Sequence, residues 1–158
     1  MMYLVECYAD ELFLCNLLPN IANNIEHTGS RSKIIKKIDN GKCIYKALID
    51  EDPDSIQDER LNCYHKKFED PFIKVYKAKG SIILTLRPRI EEFLLNIARE
   101  VNIDPKDYNL PDNGEELHKI LGNQRVKQNN NARNFINDII NSNHSAIQNI
   151  KNYMLCKI

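Results

Sequence analysis

Two aspartates one residue apart, Asp50 and Asp52, close the apolar run 44–49, and Pro53 follows them. A short apolar run bounded by a turn former reads as a buried strand, here of a parallel sheet. Open α/β sheets bind ligands at the carboxyl ends of their strands. Carboxylates held that close raise each other's pKa unless a cation neutralises them. An all-oxygen acidic site suits Mg²⁺, Mn²⁺ or Ca²⁺. The competing reading is an acidic loop in water, with Asp50 capping a helix or turn.

Two further acids lie near the start. Residues 2–7 read as a first strand ending at Glu6, where a carboxylate buried without a partner would be costly. Asp10 suits the N-cap of a helix carrying Leu12, Leu14, Cys15, Leu17 and Leu18, broken at Pro19, and Glu11 suits its first turn. After a short second strand at 24–27 comes a candidate phosphate site. Gly29, Ser30, Arg31 and Lys33 form a turn opening a helix with Ile34, Ile35 and Ile38 at helical spacing. Free N–H groups at such a helix start can hold a phosphate. It is not a P-loop, because the Gly-x-x-x-x-Gly-Lys spacing is absent, and an ordinary capped turn explains it as well.

The elements that must position these groups follow from pattern. Residues 39–42 are a turn, and 43–49 the third strand. Residues 53–69 are a polar loop with a short helix around 56–64, and His65 is a weak general-base candidate on it. The β-rich segments 72–76 and 81–86 form a hairpin or two successive strands. Ile90, Phe93, Leu94, Ile97, Ala98 and Val101 mark an amphipathic helix with Pro88 at its first position. Glu91 and Glu92 fit its first turn electrostatically; alternatively one of them, with Arg87 or Arg89, rims the sheet edge. Residues 102–114 are a loop. Helices are expected at 115–121, 131–140 and 145–155, with Ser145 an N-cap and 128–131 a polar linker.

The 158 residues suit one domain, with 1–101 an α/β unit and 102–158 a helical extension packed on it. Lys and Arg number 22 and Asp and Glu 22, so no global field recruits nucleic acid and polyanion binding needs a local patch. Five scattered cysteines without a Cys-x-x-Cys pair indicate neither zinc knuckle nor disulfide framework, and read as buried free thiols in a reducing cytoplasm. Neither a signal peptide nor a membrane span is expected.

In strand–helix–strand–helix–strand order, right-handed crossovers keep the strands parallel. Their carboxyl ends then share one edge, which gathers Glu6, Asp10, Asp50 and Asp52 with the turn 29–33 beside them. Val5-Glu6-Cys7-Tyr8-Ala9-Asp10-Glu11 followed by Leu48-Ile49-Asp50-Glu51-Asp52 resembles the Toprim domain over residues 2–90. That family includes topoisomerases, bacterial primases, OLD-family nucleases and small stand-alone proteins. The resemblance implies a mostly parallel α/β sheet flanked by helices. It implies Glu6 as general acid/base or metal ligand, Asp50 and Asp52 as Mg²⁺ ligands, and Asp10, at an acidic position often found in the first motif, as a further metal ligand. The turn 29–33 is similar to a Gly/Lys segment of the OLD-type branch. Cys7 departs from the glycine usual after the glutamate.

A chain this short has no room for a topoisomerase's other domains or a primase's zinc module, which leaves a small Mg²⁺- or Mn²⁺-dependent nuclease. Glu6, Asp50 and Asp52 would carry phosphodiester hydrolysis, and Arg31, Lys33 and Arg87 would neutralise the phosphate. With no Walker motif, an ATPase partner would act in trans, docked on the C-terminal helices. The alternatives are a non-catalytic interaction module and, third, a phosphatase with an aspartate nucleophile in Asp50-Glu51-Asp52.

Overall fold

A computed structural model of the chain describes residues 1–52 and 59–156. A six-stranded sheet is built from β1 (Met2–Val5), β2 (Ile25–His27), β3 (Tyr45–Asp50), β4 (His65–Glu69), β5 (Ile73–Ala78) and β6 (Ser81–Leu86). Its order is β2-β1-β3-β6-β5-β4. The first four in that order are mutually parallel, while β5 runs antiparallel to both β6 and β4. The helices are α1 (Tyr8–Leu17), α2 (Arg31–Asp39), α3 (Ile90–Glu100), α4 (Gly114–Leu121), α5 (Asn130–Asn141) and α6 (Ser145–Leu155).

The period-2 alternation of the strands sorts side chains between two apolar layers. Tyr3, Val5, Leu48, Leu84 and Leu86 face one, shared with α1, α3, α4, α5 and α6. Leu4, Ala47, Ile49 and Ile83 face the other, closed by Ile34, Ile35 and Ile38 of α2. The first layer runs unbroken from β1 into the helices beyond residue 101, so the C-terminal helices share the core of the sheet. No helix among the described residues is long and apolar enough to cross a membrane.

The chain passes from β1 to β2 on one side and then returns across β1 to β3 on the other. This reversal opens a crevice between the carboxyl ends of β1 and β3, the topological switch point where open α/β sheets bind ligands. Glu6 follows directly on β1, and Asp50 ends β3.

Several local expectations are corrected. Strand β1 stops at Val5 and β3 begins at Tyr45. Residues 65–69 are not loop but the edge strand β4, exposed at every position except Phe68, so it lacks an inward-facing period. His65 is therefore an exposed strand residue. Among the described residues of the 56–64 span, where a short helix was expected, Glu59–Cys63 form a 3-10 turn; residues 56–58 of that span, and Pro53, lie outside the described residues. The 72–76 and 81–86 segments are a hairpin, turned at Lys79 and Gly80 with φ of 48° and 82°. Positive φ at both central residues is what a type I′ turn requires. Pro88, joined to Arg87 by a cis peptide, precedes α3, whose N-cap is Arg89.

His144, not Ser145, caps α6 through its ring nitrogen. Asn129 caps α5, so Asn130 and Asn131 belong to a helix instead of a linker. All five cysteines are unpaired, but Cys43, Cys63 and Cys156 are exposed and not buried as expected.

Candidate functional site

Three helices begin at the carboxyl edge of the sheet, and an acid meets each beginning. Cys7, in place of the expected Asp10, is the N-cap of α1. Asp10 sits at the third position and reaches back. Its Oδ2 accepts the N–H of Cys7 at 3.0 Å and that of Glu6 at 3.3 Å. At α2, the first-turn N–H of Arg31 donates to the Glu6 carboxylate, as does the N–H of Asp50. At α3, the N–H of Ile90 donates to Asp50. Unmet N–H groups and the helix dipole make each of these ends attractive to a carboxylate.

Capping alone does not satisfy the acids. Glu6 Oε2, Asp10 Oδ1 and Asp50 Oδ1 are buried without a hydrogen-bond partner among the described residues. Burial is the first cause that raises all three carboxyls above their ordinary values. Asp10 is pushed up to about 7 by burial, with Glu6 and Glu91 adding to the rise and the Cys7 hydrogen bonds opposing it. Asp50 is raised well above the carboxylate range by burial and then by Asp10, Glu91 and Glu6. Burial likewise pushes the Cys7 thiol far up, with Asp10 adding to it, so this cysteine is an inert cap and not a nucleophile.

The alternation along β3 turns Asp50 toward the same layer as Lys46 and Leu48, against α1 and α3. Asp10 and Glu91 come from those two helices. Glu91 is 2% exposed and its Oε1 lies 2.8 Å from Nδ1 of His118 on α4. Of the two readings open for Glu91 and Glu92, Glu91 joins the acids of the edge while Glu92 pairs with Arg89 at 2.6 Å. Asp52 takes a different place from Asp50. Its φ is 34°, its N–H donates to Pro88 O at 2.7 Å, and its charge acts on Glu6.

The expected phosphate ligands divide. Gly29 has φ of 78° and Ser30 is the N-cap of α2, with Lys33 exposed in the first turn. Arg31 is buried, its guanidinium donating to Glu51 O at 3.1 Å. Arg87 pairs with Glu51 at 2.7 Å and Glu69 at 3.4 Å, and also donates to Asp70 O at 2.9 Å. Glu51 also pairs with Lys74. Among the described residues no three or more His, Cys, Asp or Glu side chains stand together in metal-holding geometry. Mg²⁺ does not require such a cage. It keeps several waters and is bound through one or two carboxylates and substrate phosphates. The donor set at the crevice, oxygen only and with unmet buried oxygens, fits that mode.

Sequence reasoning did not reach His118 or Lys46. Nothing in the pattern of α4 marks His118. Lys46 left a trace, a charge inside an otherwise apolar run. It is 2% exposed, and its ammonium donates to the carbonyls of Met154 at 2.7 Å and Cys156 at 2.5 Å, capping α6.

The fold and edge define an open α/β protein with an acid-lined switch point. No protein-family model, curated protein or solved structure matches the chain.

Proposed function

We propose that the chain is a Mg²⁺- or Mn²⁺-dependent hydrolase of nucleic-acid phosphodiesters, arranged like a Toprim nuclease. The observation that carries this reading is the pair of buried, unpartnered oxygens Glu6 Oε2 and Asp50 Oδ1 on either side of the switch point. Buried carboxylates that raise one another need a proton or a cation. Without a cation such an edge would repel a phosphodiester.

Glu6 and Asp50 would hold the ion, and Asp10 and Asp52 would add negative charge beside it. When bound, it would neutralise the acids and polarise a phosphoryl oxygen. Glu6, directly after β1 at the switch point, would be the group suited to take a proton from the attacking water as the new P–O bond forms and the old one breaks. The exposed Lys33 and the start of α2 would face the incoming strand. An ATPase partner in trans, docking on the C-terminal helices, and a cytoplasmic setting belong to the same reading.

The test is cleavage of plasmid DNA and of RNA with Mn²⁺, using wild type and Asp50→Asn. Cleavage lost in the variant supports the proposal; equal cleavage by both, or none by wild type, refutes it. A second reading, a non-catalytic module that binds a partner protein or nucleic acid, is favoured by one observation. Arg31 and Arg87 are both engaged by Glu51, through its carbonyl and its carboxylate respectively. On that reading ligand retention without cleavage would survive Asp50→Asn.

A further inference from the structure

Beside the acids, one strand over, lies a cavity of about 450 Å³ lined by Glu51, Pro71, Arg87, Pro88 and Asn96. Its place is fixed by the sheet. Leu86 is the register partner of Asp50, so Arg87 and Glu51 emerge side by side from adjacent strand ends. Adjacent strands lie about 5 Å apart, so the cavity sits at the carboxyl end of β3, one residue beyond Asp50.

The chemistry of the walls argues against an anion. The Arg87 guanidinium is held by Glu51, Glu69 and the Asp70 carbonyl, and Lys74 is neutralised by Glu51 and Glu69. A phosphate entering here would have to displace a carboxylate. The same contacts lock Arg87 as a flat, fixed surface, and Pro71 and Pro88 add apolar walls. Arginine planes and flat apolar walls are what unpaired bases stack on. Asn96 supplies polarity: its Oδ1 accepts from Arg99 at 2.8 Å, which leaves the amide N–H₂ as the donor toward a ring nitrogen or carbonyl. The volume is within the usual range of roughly 300–1,000 Å³ for small-ligand pockets.

We propose that this cavity receives one unpaired nucleobase, so that the strand presented to Glu6 and Asp50 is single-stranded. The pocket itself is argued from its own walls; only the link to cleavage rests on the nuclease reading. Arg87 acts in it as a stacking surface rather than as a phosphate ligand.

The experiment is a titration of the full chain, in EDTA, with adenosine, guanosine, cytidine and uridine, and with ribose 5-phosphate as control, followed by ¹H–¹⁵N shifts of the Asn96 amide and Arg87 Nε. At least one nucleoside shifts both signals saturably, and ribose 5-phosphate shifts neither. Asn96→Leu, at a half-buried position, keeps the melting temperature and weakens nucleoside binding at least fivefold. With Ca²⁺ in place of EDTA, a single-stranded oligonucleotide binds more tightly than its blunt duplex. Absence of nucleoside shifts, equal shifts with ribose 5-phosphate, or equal duplex binding overturns the pocket. Because the nucleoside readouts need neither metal nor turnover, cleavage without nucleoside binding defeats the pocket alone. Nucleoside binding with no cleavage in any divalent metal defeats the nuclease reading alone.

Discussion

The Asp10 carboxylate accepts the backbone N–H of Cys7 at 3.0 Å, while the Cys7 thiol accepts that of Asp10 at 3.4 Å. This reciprocal bond fixes the start of α1 and with it the position of Glu6, whose own N–H also goes to Asp10. The thiol is the weaker half, since sulfur is a poor acceptor. Cys7→Ser therefore keeps or slightly improves stability. Asp10→Ala, which strips two N–H groups of their partner, costs about 1–3 kcal/mol. Asp10→Asn keeps an acceptor and removes a buried charge, so at pH 8 it is at least as stable as wild type. Urea unfolding of the three variants checks the order.

A second expectation concerns pH. Asp10 titrates near 7 when folded, against about 4 in an unfolded chain. A carboxyl raised by folding contributes stability that is complete below its unfolded value and is lost as pH rises through its folded one. Asp50 and Glu6 are raised in the same sense. Glu51 opposes them: burial raises it, but Lys74 and Arg87 together bring it below its ordinary value, so its contribution is lost on acidification. Glu69, Asp112 and Glu115 are lowered as well, by Lys66, Lys106 and Arg89 respectively, but they are exposed pairs screened by water, so the three buried, raised acids decide the sign. Without divalent ions the melting temperature falls from pH 5 to pH 8, on the order of 5 °C. Asp50→Asn flattens the profile, and a wild-type profile that rises with pH would contradict the buried acids.

Lys46 carries a third prediction. Its ammonium sits in the sheet layer and holds the last carbonyls of α6, to which Tyr3 also donates, at Met154 O, 3.1 Å away. A cation at a helix C-terminus is favourable, and stripping a charged partner from buried carbonyls costs more than a neutral one. Lys46→Met keeps the apolar stem and loses the cap. The expected cost is about 2–4 kcal/mol, with amide exchange accelerated through residues 150–156 and little change in α1 or α3. Exchange measured by mass spectrometry separates this local release from global loosening.

Strands β1, β3 and β6 were legible because they are short, largely apolar runs ended by acids or turns, and α3 because its apolar stripe keeps strict helical spacing. Strand β4 was not, since an edge strand of His, Lys and Glu has no buried face to write a period. The convergence of Glu6, Asp10 and Asp50 on one edge followed from topology. Their division followed from nothing in the local pattern. Asp50 keeps strand parity and faces α1 and α3, whereas Asp52 lies beyond the strand with positive φ, and its charge acts on Glu6. Glu91 and His118 meet across 27 positions, through the packing of α4 on α3, a relation no short motif encodes.

Divalent metal tests that division. At pH 8, Mn²⁺ or Mg²⁺ raises the melting temperature, because an ion bound only by the folded state stabilises it, by about 2.7 kcal/mol at a hundredfold excess over Kd. Asp50→Asn removes the shift. Asp52→Asn is the informative partner: asparagine tolerates the left-handed backbone that Asp52 adopts, so the fold is kept while a charge is lost. Calorimetric titration of both variants with Mn²⁺ then reads each carboxylate separately. Loss of binding in both means that Asp50 and Asp52 share one ion, despite facing different neighbours. Binding lost only in Asp50→Asn assigns the ion to the face of α1 and α3, with Asp52 left to steer Glu6.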